Sequence, residues 1–141
     1  MQERKIVVVL LTLIVLYLLL EPVASYTWGQ ILPFRSVESA IGEAGIRALH
    51  LLPALALGIV GGIVLGVFAQ KRWALSIFCV VVASHRFFAY PGVVAVTADA
   101  TYIGFAAAEG LCLTSAIIAA YVVAKRRSGA WSSPEKLDHS E

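Results

Sequence analysis

A polar triplet interrupts a long apolar stretch near the middle of the chain. Ser84, His85 and Arg86 lie within "CVVVASHRFFAYPG", residues 79–92. A charge surrounded by apolar sequence is costly, and inside a membrane such charges pair with one another or face a watery cavity, so they suggest a functional site. Arg86 therefore needs a carboxylate partner, and the candidate is Glu109 on the next apolar segment.

The distance along each helix predicts that these two groups lie in one layer. At a rise of 1.5 Å per residue, Arg86 lies about 20 Å from Arg72 at its helix end, and Glu109 lies about 22 Å from Ala124. Consecutive helices would run antiparallel, so the two heights are measured from the same side. We therefore predict an Arg86–Glu109 ion pair.

Arg47 and His50 lie on one face of the preceding apolar segment. Their estimated heights, about 33 and 29 Å by the same rise, are near its outer end. Glu43 precedes Arg47 by one helical turn, so an interfacial ion pair explains Arg47 as well as a ligand contact does. The predicted ligand-binding set is Arg47, His50, His85, Arg86 and Glu109.

Two chemical alternatives involve the histidines. His50 and His85 could be axial ligands of haem b, but their estimated heights differ by roughly 10 Å, so hydrogen bonds to neighbouring helices are favoured. Glu109 and His85 could act as acid and base, yet no nucleophile, metal triad or cofactor loop accompanies them. No catalytic residue, metal site or cofactor is predicted, and the question of enzymatic activity stays open, with a non-enzyme favoured.

The composition indicates which solvent surrounds these groups. Of 141 residues, 60% are hydrophobic and 14% charged, whereas a soluble domain has about 25% charged residues. Lipid is therefore the expected solvent, and a net charge of +2 gives no reason to expect a nucleic-acid partner. Cys79 and Cys112 form no CxxC motif, and buried structural thiols are favoured over a redox couple.

Four segments are long and apolar enough to be membrane helices, which need about 20 residues. The prediction is an all-α protein, a bundle of four transmembrane helices within residues 1–127, followed by a disordered cytoplasmic tail over 128–141. Ser36 or Ser39 could cap a short helix before the second span. The predicted spans are residues 6–25, 44–69, 73–90 and 100–124.

Basic residues predict the orientation. They precede the first span, separate the second from the third, and follow the fourth, so the positive-inside rule puts both termini in the cytoplasm of a bacterial or archaeal cell, with the spans in its inner membrane. "PVAS" at residues 22–25 also resembles the end of a cleavable signal peptide. Retention of the first span is favoured because its apolar stretch is long for a signal.

Small residues recur at helical spacing on two spans. Gly58, Gly62 and Gly66 expose one side of the second span, where another helix can approach closely. Packing of the second span against the fourth within one chain is favoured over a seam between copies of the chain. The stripe on the fourth span consists of Gly104, Ala108, Cys112, Ala116 and Ala120.

This arrangement resembles the DoxX-like group of small bacterial four-helix membrane proteins. The points of resemblance are Glu43, Arg47 and Ala48 opening the second span, the glycines that follow, Arg86 late in the third span, and Glu109 in the fourth. His85 departs from the pattern, because relatives often have glycine before the arginine. The resemblance implies a four-helix bundle that could hold a lipophilic ligand; some members are linked to quinone-dependent oxidation, and no reaction is implied here.

The predicted function is the binding of a lipophilic ligand, such as a quinone or a lipid, in a polar pocket of the outer leaflet. One alternative is a structural or accessory subunit of a larger membrane complex. A small transporter, working as a homo-oligomer, is the other, and it is disfavoured because few polar residues lie below Arg86. The expected partners are the lipid bilayer, a lipophilic small molecule, and further copies or subunits of a complex.

Overall fold

The computed structural model describes residues 2–32, 34–88 and 100–131. In this part of the chain all regular structure is helical, which confirms the predicted all-α class. Four helices are present, and the second continues directly into a π-helical turn over Leu65–Ala69. The helices are α1 (Gln2–Ile31), α2 (Phe34–Val64), α3 (Arg72–Phe88) and α4 (Ala100–Trp131).

Three segments are long and apolar enough to cross a membrane: Gln2–Ile31, Ala44–Ala69 and Tyr102–Gly129. The remaining helix, α3, has 17 residues, somewhat fewer than the about 20 that a perpendicular crossing needs. Large apolar side chains are exposed on all four helices, as in Leu19, Phe68 and Leu111. Exposed apolar surface on this scale is typical of a protein surrounded by lipid.

Helix bounds differ from the prediction at three places. Helix α1 continues to Ile31, past the end predicted for the first span at residue 25. A break occurs at Gly42, where φ of 70° and ψ of 178° belong to a region that essentially only glycine occupies. The residues before it form the predicted short helix; the side chains of Ser36 and Ser39 lie outside the described residues. At the other end, α4 continues to Trp131, so residues 128–131 are helical and not part of a disordered tail. Residues 132–141 lie outside the described part.

The helices pack in the cyclic order α1, α2, α4, α3, with α1 and α4 at opposite corners. One apolar core lies between them. Every helix contributes to it, and its largest fully buried side chains are Leu65, Phe78, Val82, Leu113 and Ile117.

The contact between α2 and α4 depends on two glycines. A Cβ atom on Gly62 would lie 2.5 Å from the carbonyl oxygen of Ile117, and one on Gly66 would lie 2.6 Å from that of Tyr121. The two backbones therefore touch, which confirms the predicted packing of the second span on the fourth within one chain.

The prediction of a packed stripe of small residues on α4 is wrong for the N-terminal part of that stripe. Gly104, Ala108 and Cys112 are exposed, while Ala120 and Ala124 meet the glycines of α2. Cys112 is consequently not the buried thiol that was predicted, although Cys79 is buried. The reason is that α4 turns its bulkier Leu113, Ile117 and Tyr121 toward the core.

Candidate functional site

Arg86 is the centre of a buried polar cluster, and only 6% of its surface is exposed. Its Nη1 donates a hydrogen bond of 3.0 Å to Oε1 of Glu21, and its Nη2 donates one of 3.1 Å to the carbonyl oxygen of His50. Its Nε lies 3.5 Å from Oε2 of Glu109. The predicted Arg86–Glu109 ion pair is confirmed, but the closer carboxylate belongs to Glu21.

Glu21 is the site residue that the sequence analysis missed. Its side chain is almost fully buried, whereas that of Glu109 is 20% exposed. Glu21 lies about 24 Å along α1 from Lys5, at a rise of 1.5 Å per residue, the same level as Arg86 and Glu109. The depth calculation that paired the other two charges would therefore have found it.

The surroundings of Glu21 hold its carboxylate in place. Ser25, one turn further along α1, donates a hydrogen bond of 2.7 Å to Oε1. Nδ1 of His85 lies 3.8 Å from Oε2, too far for a hydrogen bond. The ring of Tyr17 stands edge-on to His85 with the centroids 5.7 Å apart. Two donors thus share one carboxylate oxygen, as expected for a buried charge that must be neutralised.

A proline in α2 explains why backbone oxygens join this cluster. Pro53 has no N–H to donate to the carbonyl of Leu49, four residues earlier, and its ring crowds that carbonyl. The indole Nε1 of Trp28 on α1 donates to the Leu49 oxygen at 3.0 Å. The next carbonyl, that of His50, accepts from Arg86. Trp28 of α1 and Arg86 of α3 therefore donate hydrogen bonds to α2 near Pro53, where one backbone hydrogen bond of that helix is missing.

A partly enclosed cavity of about 290 Å³ opens beside the cluster. Four of the five residues predicted to bind a ligand line it: Arg47, His50, Arg86 and Glu109. The ring of Phe87, the ring of Tyr102 and the methyl group of Ala106 complete its described walls. Helices α2, α3 and α4 each contribute, so the cavity exists only in the folded bundle.

His85, the fifth candidate, does not line this cavity. It points to the α1 side of α3, toward Tyr17 and Glu21. Adjacent helical residues differ by about 100° in direction, so His85 cannot follow Arg86 toward α4. The structure therefore brings together four of the five predicted residues and leaves His85 apart from them. The two histidines thus lie in different surroundings, His50 at the cavity and His85 beside α1.

Arg47 stacks its guanidinium over the ring of Phe105, with 4.6 Å from Cζ to the centroid. Such a contact stabilises a cation without neutralising it. The alternative partner, Glu43, has a side chain outside the described part. Arg47 therefore brings a positive charge to the mouth of the cavity.

Among the described residues, the cavity and the cluster beside it hold four charged side chains, the cations Arg47 and Arg86 and the carboxylates Glu109 and Glu21. In the same part of the chain, no group of three or more His, Cys, Asp or Glu side chains is placed to hold a metal ion. The described walls thus offer hydrogen-bond donors, one carboxylate and two aromatic rings to a polar group.

Comparisons with protein-family models, curated proteins and solved structures find no match for this chain. Its function has to be argued from the site itself.

Proposed function

We propose that the protein is a small four-span membrane protein that binds a lipophilic ligand with a polar head in the cavity beside Arg86. The observation that carries the proposal is the convergence of Arg47, His50, Arg86 and Glu109 on one cavity of about 290 Å³. Ligand pockets usually have volumes of about 300–1,000 Å³. This cavity is at the small end of that range, so it suits a head group more than a whole amphiphile.

The cavity walls favour a head with oxygen acceptors, of which a quinone ring is the best example. A quinone carbonyl can accept hydrogen bonds from the guanidinium groups or from the hydroxyl of Tyr102, and the rings of Phe87 and Tyr102 offer apolar faces. A phospholipid head would bring a negative charge next to the carboxylate of Glu109, which lines the cavity. We therefore favour a quinone over a lipid, in keeping with the DoxX-like resemblance.

The proposed setting is the inner membrane of a bacterium or archaeon. Basic residues at the ends of the spans support cytoplasmic termini, which would put the cavity in the outer leaflet. Two buried side chains support the retention of α1 in the mature protein. Tyr17 and Glu21 are buried in the bundle, and cleavage near residue 25 would remove both. A tilted or locally thinned bilayer would accommodate the shorter α3.

A structural or accessory role in a larger complex is the second candidate. Arg86 joins α1, α2 and α4 to α3, and such a clamp needs no ligand. The cavity itself argues against this as the whole function, because a clamp requires no open space at its side. A transporter is less well supported, since the core below the cluster is filled by Leu65, Phe78, Leu113 and Ile117.

The test is equilibrium binding to the purified protein in lipid nanodiscs, with a decyl-substituted benzoquinone as the probe. We expect Arg47→Gln to lower the affinity about tenfold or more, because a hydrogen bond from a charged group contributes about 1.5–3 kcal/mol. Arg126→Gln is the matched control, since this arginine is exposed and lies at the other end of α4. Its affinity should equal that of the wild type.

Two results would contradict the proposal. One is the absence of saturable binding to the wild-type protein. The other is an equal effect of the two arginine substitutions, which would indicate non-specific partition. A parallel titration with phosphatidylglycerol distinguishes the ligand classes: if that lipid competes with the quinone at stoichiometric amounts, the site takes a lipid head.

A further inference from the structure

We infer that the groove between α3 and α4 holds the hydrocarbon tail of the ligand, an inference that rests on the proposed binding of its head in the cavity. The occupant is thus one amphiphile, with its ring beside Arg86 and its chain extending along the outside of the bundle. The two spaces are continuous, the groove walls are almost entirely apolar, and a glycine leaves room at the far end of the groove.

The groove adjoins the cavity directly. It has a volume of about 340 Å³, and Phe87 and Ala106 line both spaces. A molecule whose head fills the cavity can therefore leave it past these two residues. The further walls of the groove are formed by Ala83, Ser84, Phe88, Ile103, Ala107 and Gly110.

The groove walls suit an alkyl chain. Ser84 is the single polar side chain among these described walls, and four of the lining residues are alanine or glycine. Small residues on facing helices leave a channel, and the rings of Phe87 and Phe88 form its side. Since Ile103 and Ala107 are exposed, the groove is open to the surrounding lipid along its length.

Gly110 keeps the far end of the groove open. A Cβ atom at this position would meet only that of Ala83, at 3.9 Å, which is an ordinary contact. By contrast, the glycines at the α2–α4 contact lie against backbone of α4. Gly110 therefore does not serve close helix packing, and its missing side chain leaves space that a larger residue would fill.

Three other grooves along the described helices do not adjoin the cavity. They lie between α1 and α3, between α1 and α2, and between α2 and α4, and they share no lining residue with it. The α2–α4 groove is larger and apolar, with Ala119 on its wall, but it lies nearer the other end of α4. These differences provide a matched control on the same helix.

The test compares two probes, a benzoquinone without a tail and the same ring carrying a decyl chain, on the full chain in nanodiscs. Ala107→Phe places a ring in the α3–α4 groove, and Ala119→Phe places the same ring in the α2–α4 groove. Both positions are exposed, so both variants should fold. We expect Ala107→Phe to weaken the decyl compound about tenfold and to leave the tail-less ring unchanged, while Ala119→Phe changes neither.

A second pair of variants tests the far end. Gly110→Leu should bind the decyl compound less tightly than the wild type, and Gly110→Ala should weaken binding less, because a methyl group fills less of the groove. Unchanged decyl affinity in both Ala107→Phe and Gly110→Leu would overturn the inference and leave the head site intact. Equal losses for the two probes would also overturn it, because they would indicate a distorted cavity. If neither probe binds the wild type, the proposed function itself is wrong.

Discussion

Two regions of the bundle, separated by about two turns of α3, are held together by opposite means. Around Arg86, the helices are joined by ion pairs and by side-chain hydrogen bonds to two backbone carbonyls of α2, and a cavity opens beside them. Around Phe78, they are joined by close packing, with glycines of α2 against the backbone of α4. The first region has a cavity between its helices, whereas in the second the backbones of two helices touch.

The difference indicates that the packed region fixes how closely the helices approach, while the polar region can hold a cavity open. Packing at the α2–α4 contact is geometrically strict, since one added methyl group would overlap a carbonyl oxygen. The polar cluster is held by directional bonds that can support a cavity beside them. A bundle in lipid gains little from apolar burial alone, so the close packing offsets the cost of keeping one end open.

The largest expected effect is the loss of the central cation. Arg86→Gln leaves Glu21 and Glu109 without their shared cation, and removing one partner of a buried ion pair costs about 3–5 kcal/mol. The free energy of unfolding, measured by denaturant titration in detergent micelles, should fall by this amount. The exposed Arg126→Gln is the control. A loss below about 1 kcal/mol would mean that the polar region does not hold the helices together.

The two carboxylates should then differ in their coupling to Arg86. Double-mutant cycles with Glu21→Gln and Glu109→Gln, each combined with Arg86→Gln, should give about 2–3 kcal/mol for Glu21 and about 1 kcal/mol or less for Glu109. Glu21 is closer to Arg86 and more buried. Equal couplings in the same unfolding assay would show that the distance difference has no energetic consequence.

The packed region should be sensitive to a single methyl group. Gly62→Ala brings a Cβ atom to 2.5 Å from the Ile117 oxygen, and overpacking of this kind costs about 1–3 kcal/mol. Gly104→Ala is the control, since nothing lies within 4 Å of its added Cβ atom. If thermal unfolding temperatures of the two variants agree, the close helix contact is not what stabilises this region.

The smallest effect is expected at the proline of α2. Trp28→Phe keeps an aromatic ring but removes the donor to the Leu49 carbonyl, and a hydrogen bond of this type contributes about 0.5–1.5 kcal/mol. The exposed Trp73→Phe serves as its control and should unfold like the wild type. A change in Trp73→Phe as large as that in Trp28→Phe would argue against a role for the indole hydrogen bond.

Depth along a helix was the most informative quantity in the sequence. It paired Arg86 with Glu109 correctly because both lie on regular helices whose ends are marked by basic residues. Glu21 was missed because the depth calculation was applied only to the second, third and fourth spans, although the predicted first span contains this residue and α1 is helical there. The estimated heights of His50 and Arg86 differ by about 9 Å, yet the Arg86 side chain bonds the His50 carbonyl, because the calculation follows the backbone and ignores how far an arginine side chain reaches.

Direction around a helix was less informative than depth. The helical angle separates His85 from Arg86, but the side of α4 that faces inward depends on the shapes of its neighbours. Its small residues suggested one side, while Leu113, Ile117 and Tyr121 occupy the core. The cavity and its adjoining groove arise from the packing of three helices, and no local pattern in the sequence predicts their shape.

The bond between Glu21 and Arg86 joins residues 65 positions apart. In a chain that is synthesised and inserted from its N-terminus, the acidic group of α1 arrives long before its basic counterpart has been translated. Until then the nascent chain has to keep that group in contact with water or with donors of α1 itself, such as Ser25. Translation of α3 thus supplies the cation that Glu21 binds in the folded bundle, and a product truncated before Arg86 would lack it.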